Sequence, residues 1–422
     1  MKISIDPVIS GRIKSAWKQL TPAQQNQIAP LMLKGNEQAI TVTQTGKAPA
    51  GAAVPPYHVL AFSALNDDHD NVLNSLEAGV VVDVGPDGVI WGTGKYQQFD
   101  PGWTEAFAVY LESLLPVVGG KHAFVTTPQT INIPDSAQIG LAGDWGTGDW
   151  RGKSNPAPST DVGLHLRTLQ PHITIHLGDV YYAGTSGQEE HNLVNIWPQG
   201  SLASFTLNSN HEMYSGAKPY FEVISKPPFD QQKGCSYFAL ENSNWVIVAL
   251  DSGYYADEAG LYMVGSLGPD VGPQIKFLQA QAAKHKKLII LTHHNGMVDQ
   301  RDPVTGTVST TSTSLWKQLM SALPSGSAPA YWYWGHVHAG VVYKPQGGNV
   351  SCRCCGHAAL PWGKAFEFDP KNNAQVEWCE TRSANDPDIP QRVLNGYAML
   401  YLDGPKFEEV FYDENGGVAW SQ

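Results

Sequence analysis

Five short polar segments recur in a fixed order between residues 143 and 338: Gly143-Asp144-Trp145-Gly146, Gly178-Asp179-Val180-Tyr181-Tyr182, Asn210-His211-Glu212, Thr292-His293-His294 and Gly335-His336-Val337-His338. Four of them follow apolar runs that read as buried strands: 139–142, 173–177, 288–291 and 331–334. Carboxylate, amide, imidazole and phenol groups at strand ends are costly in a core and favourable where they converge on metal ions. Taken singly, each segment has a bland reading. Gly-Asp after a strand makes a turn, His-x-His follows strand alternation, and Asn-His-Glu caps a helix. One cause, a two-metal hydrolytic site, accounts for all five. From Asp144 to Asp179, Asp179 to Asn210, and His293 to His336, each interval exceeds the roughly 30 residues of a βαβ unit.

The order of these motifs resembles the calcineurin-like metallophosphoesterase superfamily, and the first two resemble its purple acid phosphatase branch. Most of that superfamily carries His where this chain has Gly146, and the branch has a tyrosine three residues after the second aspartate, here Tyr182. The resemblance implies that Asp144, Tyr182 and His338 bind one metal, that Asp179 bridges, and that Asn210, His293 and His336 bind the other. It implies iron(III) at the phenolate site and iron(II), zinc or manganese at the second. Two departures stand out: Ser209 replaces the glycine that normally precedes the asparagine, and Asn295 replaces a proline. The implied fold is α/β, a β-sandwich of two mixed sheets flanked by helices over residues 136–422. Residues 1–135 form an α+β extension.

In such a site Asp179 holds both metals, and a bridging hydroxide attacks phosphorus. His211 protonates the leaving group and, with Asn210, contacts phosphate; Glu212 either orients His211 or braces the loop. His294, Arg353 and His357 are further candidates for substrate contact. The expected activity is hydrolysis of a small phosphate ester, in the first place a phosphomonoester. The residues leave phosphomonoester and phosphodiester (cyclic nucleotide or nucleotide anhydride) open, and a non-catalytic metal-binding protein is the third alternative.

Composition narrows the field. The 422 residues include 42 Gly and 29 Pro with only 16% charged, which suits a loop-rich α/β enzyme. A net charge of −12 argues against nucleic acid as a partner. No stretch approaches 18 apolar residues, so no membrane span is expected, and residues 1–6 lack a signal-peptide pattern. The five cysteines, three of them at 352, 354 and 355, suit reduced thiols and predict a cytoplasmic protein.

Ile13, Trp17 and Leu20 have helical spacing. Thr21-Pro22-Ala23-Gln24 reads as a capping box, with Gly35 expected to stop that helix. Gly85-Pro86-Asp87-Gly88 predicts a hairpin, Asp100-Pro101 opens another helix, and two more hairpins are expected about 242–244 and 403–406. The Ser/Thr-rich segment 304–314 is expected to be a surface loop.

Overall fold

The computed structural model describes residues 1–66, 72–116 and 119–422. Helices α1 (Pro7–Gln19) and α2 (Pro22–Thr45) come first, followed by the short α3 (Pro56–Val59) and α4 (Ala61–Leu65). The expected capping box is present: Thr21 Oγ1 accepts from Gln24 N, and Gln24 Oε1 accepts from Thr21 N. Gly35 does not stop α2, which runs on to Gly46 in the left-handed region (φ 67°). Gly35 serves instead as a contact point, because a Cβ there would lie 2.4 Å from His58 O of α3. A hairpin, β1 (Val81–Val84) and β2 (Ile90–Gly92), and α5 (Trp103–Ser113) complete this region as the turn and helix signals indicate.

Two large mixed sheets, with helices and a two-stranded pair outside them, form the rest. The smaller contains β4 (Ser136–Ala142), β5 (Ile173–His176), β6 (Ala203–Thr206), β16 (Gly396–Asp403), β17 (Lys406–Asp413) and β18 (Val418–Ser421), in spatial order β18-β17-β16-β4-β5-β6. The larger has the order β15-β13-β14-β12-β9-β8-β7-β3. Its strands are β3 (Thr130–Asn132), β7 (Phe238–Glu241), β8 (Trp245–Ala249), β9 (Lys287–Thr292), β12 (Tyr331–Trp334), β13 (Gly340–Tyr343), β14 (Ser351–Cys355) and β15 (Val376–Cys379). Residues 130–132, inside the segment expected to be the extension, thus pair with β7.

Strand alternation explains the layering. In β8, Ile247 and Ala249 join Ile139, Ile175, Phe205 and Leu400 between the sheets. Val246 and Val248 face the other way, with Leu278 and Leu319 of the outer helices at Pro273–Ala282 and Ser314–Ala322. The segment expected as a loop is partly strand: β11 (Val308–Ser312) pairs with β10 (Met297–Arg301), leaving only the turn between them irregular. Among the described residues no helix is long and apolar enough to cross a membrane.

Candidate metal centre

The parallel strands β4, β5, β9 and β12 release their chains at one end of the sandwich, and the polar motifs follow directly. Asp144, Asp179 and His336 all have left-handed backbone (φ 58°, 77° and 66°), a conformation that non-glycine residues hold mainly where surroundings enforce it. Gly146 is fitted to this crowding: a Cβ there would lie 2.6 Å from Asp179 O and 2.8 Å from Val180 Cα. The histidine usual at that position has no room.

The side chains form two donor sets. In one, Tyr181 OH lies 2.9 Å from Asp179 Oδ2, 3.3 Å from Asp144 Oδ1 and 3.2 Å from His338 Nε2, and His338 Nε2 is 3.2 Å from Asp144 Oδ1. In the other, His293 Nε2 lies 2.9 Å from Asn210 Oδ1, 3.2 Å from His336 Nδ1 and 3.2 Å from Asp179 Oδ1, and His336 Nδ1 is 3.1 Å from Asn210 Oδ1. One phenol proton cannot serve three acceptors. Metal–ligand bonds of about 2.0–2.1 Å put neighbouring donors about 3.0 Å apart in an octahedron and about 3.4 Å apart in a tetrahedron. The observed separations are those edges. Asp179 gives one oxygen to each set, so the residues fit a pair of bridged cations.

Electrostatics agree. Burial and the Asp179 charge push the Asp144 carboxyl well above its usual range, since two such carboxylates repel without a cation between them. Burial also holds His293 and His336 below the usual imidazole range, and His338 at about 3, leaving all three neutral as ligation requires. His293 Nδ1 pairs with Leu177 O at 2.8 Å, which aims Nε2 at the donor set, and His336 N donates to Asp144 Oδ2 at 2.8 Å.

Six of the seven expected ligands come together; the tyrosine differs. Tyr182 turns away, donating its hydroxyl to Asp100 Oδ2 at 2.6 Å and accepting from Lys95 Nζ at 2.9 Å, with its ring against Tyr96 and Trp103. The N-terminal region takes Tyr182, and Tyr181 supplies the phenol. The resemblance, with its tyrosine three residues after the second aspartate, implies Tyr182. The only available signal was that two tyrosines stand side by side.

His211 sits beside Asn210 with Nδ1 2.6 Å from Tyr182 O and Nε2 3.8 Å from Asp179 Oδ2. Glu212 does not reach the His211 ring. Its Oε2 meets Ser209 Oγ, and Asp179 N donates to it at 3.4 Å, so it braces the loop.

Three substrate-contact expectations are corrected. His294 is buried with both ring nitrogens engaged, Nδ1 by Ser252 Oγ at 2.9 Å and Nε2 by Tyr262 O at 2.7 Å. Arg353 points between the sheets, where Nε and Nη2 donate to Glu409 Oε1 at 2.9 and 2.6 Å. His357 lies behind His338, its ring edge packed on Gly340 and Gly396. Sequence reasoning also missed Tyr57, Tyr96 and Trp103 of the N-terminal region. Trp103 and Tyr96 stand against Tyr181, Trp103 also against His211, and Tyr57 against Tyr214.

No family model matches the chain, and no curated protein matches it. Among solved structures, purple acid phosphatase PPD1 from yellow lupin (Lupinus luteus) seeds overlaps 68% of this chain and 54% of its own at 14% identity and TM-score 0.49. The chain thus spans about half the length of that enzyme. GAP50, the anchor in the inner membrane complex of Plasmodium, overlaps 68% of this chain and 88% of its own at 11% identity and TM-score 0.45. A conserved uncharacterised protein, a predicted phosphoesterase, from Streptococcus pneumoniae TIGR4 overlaps 68% and 96% at 12% identity and TM-score 0.28. All three overlaps are distant. The donor set itself carries the chemistry.

Proposed function

We propose that the chain is a dinuclear metal-dependent phosphohydrolase acting on small phosphomonoesters. The observation that supports this most directly is the pair of four-donor sets sharing the two oxygens of Asp179. Asp144, Tyr181, His338 and Asp179 would hold one ion, and Asn210, His293, His336 and Asp179 the other. The phenol favours iron(III) at the first set; the amide and imidazoles suit iron(II), zinc or manganese at the second. Two cations so held would supply an activated water and offset charge on a phosphoryl group.

The chain's own residues do the rest. Tyr182 O anchors His211 Nδ1, leaving Nε2 on the side of Asp179. His211 protonated at Nε2 passes that proton to the departing alkoxide. Burial lowers its pKa, so the fraction of His211 that carries this proton grows as the pH falls. Trp103 and Tyr181 pack against the imidazole and fix its ring. The five buried thiols suit a reducing cytoplasmic setting.

Purified protein should hold two metals per chain by elemental analysis and hydrolyse an aryl phosphomonoester faster than an aryl diester or a cyclic nucleotide. Asp179→Asn should reduce both metals together. Two metals with a diester preference would transfer the proposal to phosphodiesters; a chain that binds none would refute it.

A further inference from the structure

His338 and His357 share a feature that the donor sets do not use. Each has a buried Nδ1 without a hydrogen-bond partner among the described residues. Both residues line one cavity of about 10 Å³, together with Trp362, Glu380, Leu394 and Asn395. That is about the space one water molecule needs, and such a water requires two to four polar partners. The lining includes both imidazoles and Glu380, whose carboxylate accepts from Arg382 Nε at 3.0 Å.

The walls are firm. A Cβ on Gly340 or Gly396 would lie 2.6 or 2.8 Å from His357 Nε2, so the backbone grips that ring edge. On the other side, the Trp362 ring stands 4.7 Å from His338 and edge-on to it. Trp362 Nε1 donates to Asp87 O at 2.9 Å, in the β1–β2 turn.

A ligating imidazole normally fixes its free nitrogen on a carbonyl, carboxylate or water, which sets the tautomer and raises the basicity of the ligating nitrogen. His293 does this through Leu177 O. For His338 the geometry points to a one-water site in the cavity, with His357 as the positioning residue that holds the water against His338 Nδ1. This rests on the dinuclear proposal above, because His338 Nε2 must face a cation. His357 therefore acts through solvent on a ligand and never meets the substrate.

The test compares wild type, His357→Leu and His357→Gln loaded with zinc alone, reading two stepwise dissociation constants by chelator competition. In His357→Leu one constant should weaken by roughly 10–100-fold, the range for losing such an outer partner, while the other stays. His357→Gln, which keeps a polar atom, should recover most of the loss. A crystal structure of the zinc-loaded wild type should show ordered solvent in the cavity within hydrogen-bond reach of both imidazoles. A folded His357→Leu with both constants unchanged overturns the inference and leaves the dinuclear proposal standing. A wild type that binds no zinc overturns both. Should His357→Leu fail to fold, the wild-type cavity decides, and a dry one ends the inference.

Discussion

Ser209 stands where the resembled family has glycine, and its backbone shows why the exchange is tolerated: φ −137° and ψ −176° are extended values open to any residue. Its hydroxyl is put to use. It caps the short helix 210–214 through His211 N and lies 2.5 Å from Asp179 Oδ1, bracing the shared carboxylate. Ser209→Ala should keep the fold but weaken metal retention by roughly 10–100-fold, as loss of an outer-shell partner does. Unchanged retention in a chelator titration would sink that role. The two tyrosines give a sharper test. If iron(III) fills the first set, Tyr181→Phe should abolish a phenolate-to-metal absorption band and Tyr182→Phe should leave it, with the opposite result restoring Tyr182 as the ligand. Asp144, Asp179, Asn210, His293, His336 and His338 were legible in the sequence because the order of the motifs resembles a known superfamily and each residue matches one of its ligand positions. The choice between Tyr181 and Tyr182 was not, because it depends on Asp100 and Lys95, more than eighty positions upstream.

Elements were readable where the signal was local. The capping box at Thr21, the turn at 85–88 and the hairpin β16–β17 are built from neighbours, and all formed. Gly35 misled because its reason is tertiary: α2 must let the backbone of α3 come close at His58. That same packing makes a pH prediction. His58 is buried, and burial lowers its pKa from 6.5 to about 3. The folded state therefore binds fewer protons than the unfolded chain between those values, and stability falls as pH drops through 6.5 toward 3. Between pH 7 and 5 this one group should remove roughly 2 kcal/mol at most. His294 and His357 are lowered in the same way, so only the difference between proteins isolates His58. Urea midpoints at pH 7 and 5 should differ less in His58→Leu than in wild type. An equal difference in both would show that His58 is protonated in the fold.

At the scale of the molecule, the N-terminal region and the metal centre share one hydrophobic core. Trp103, Phe107 and Tyr110 belong to the same buried cluster as Trp145, Tyr181, Tyr182 and Tyr214. No motif lies in residues 1–135, so nothing in the sequence tied that region to the chemistry; the link is made by aromatic packing, which leaves no fixed spacing. Trp103 is the clearest case. It is 2% exposed, its Nε1 donates to Gln97 O at 2.9 Å, and its ring lies 4.9 Å from Tyr182 and 5.9 Å from His211. Trp103→Ala should cost about 3–5 kcal/mol, the usual range for emptying a buried tryptophan site. Stability loss alone would say nothing about the site, so the comparison is Trp245→Ala. Trp245 is equally buried but begins β8, where it donates to Gly404 O, while the chain reaches the metal-bearing side only after that strand. With both variants assayed at a temperature where each is folded, Trp103→Ala should lower kcat on a poor leaving group by about tenfold or more, by loosening His211. Trp245→Ala should keep its kcat. Equal loss in the two variants, or none in Trp103→Ala, would mean that the N-terminal region only stabilises the fold and does not shape the site.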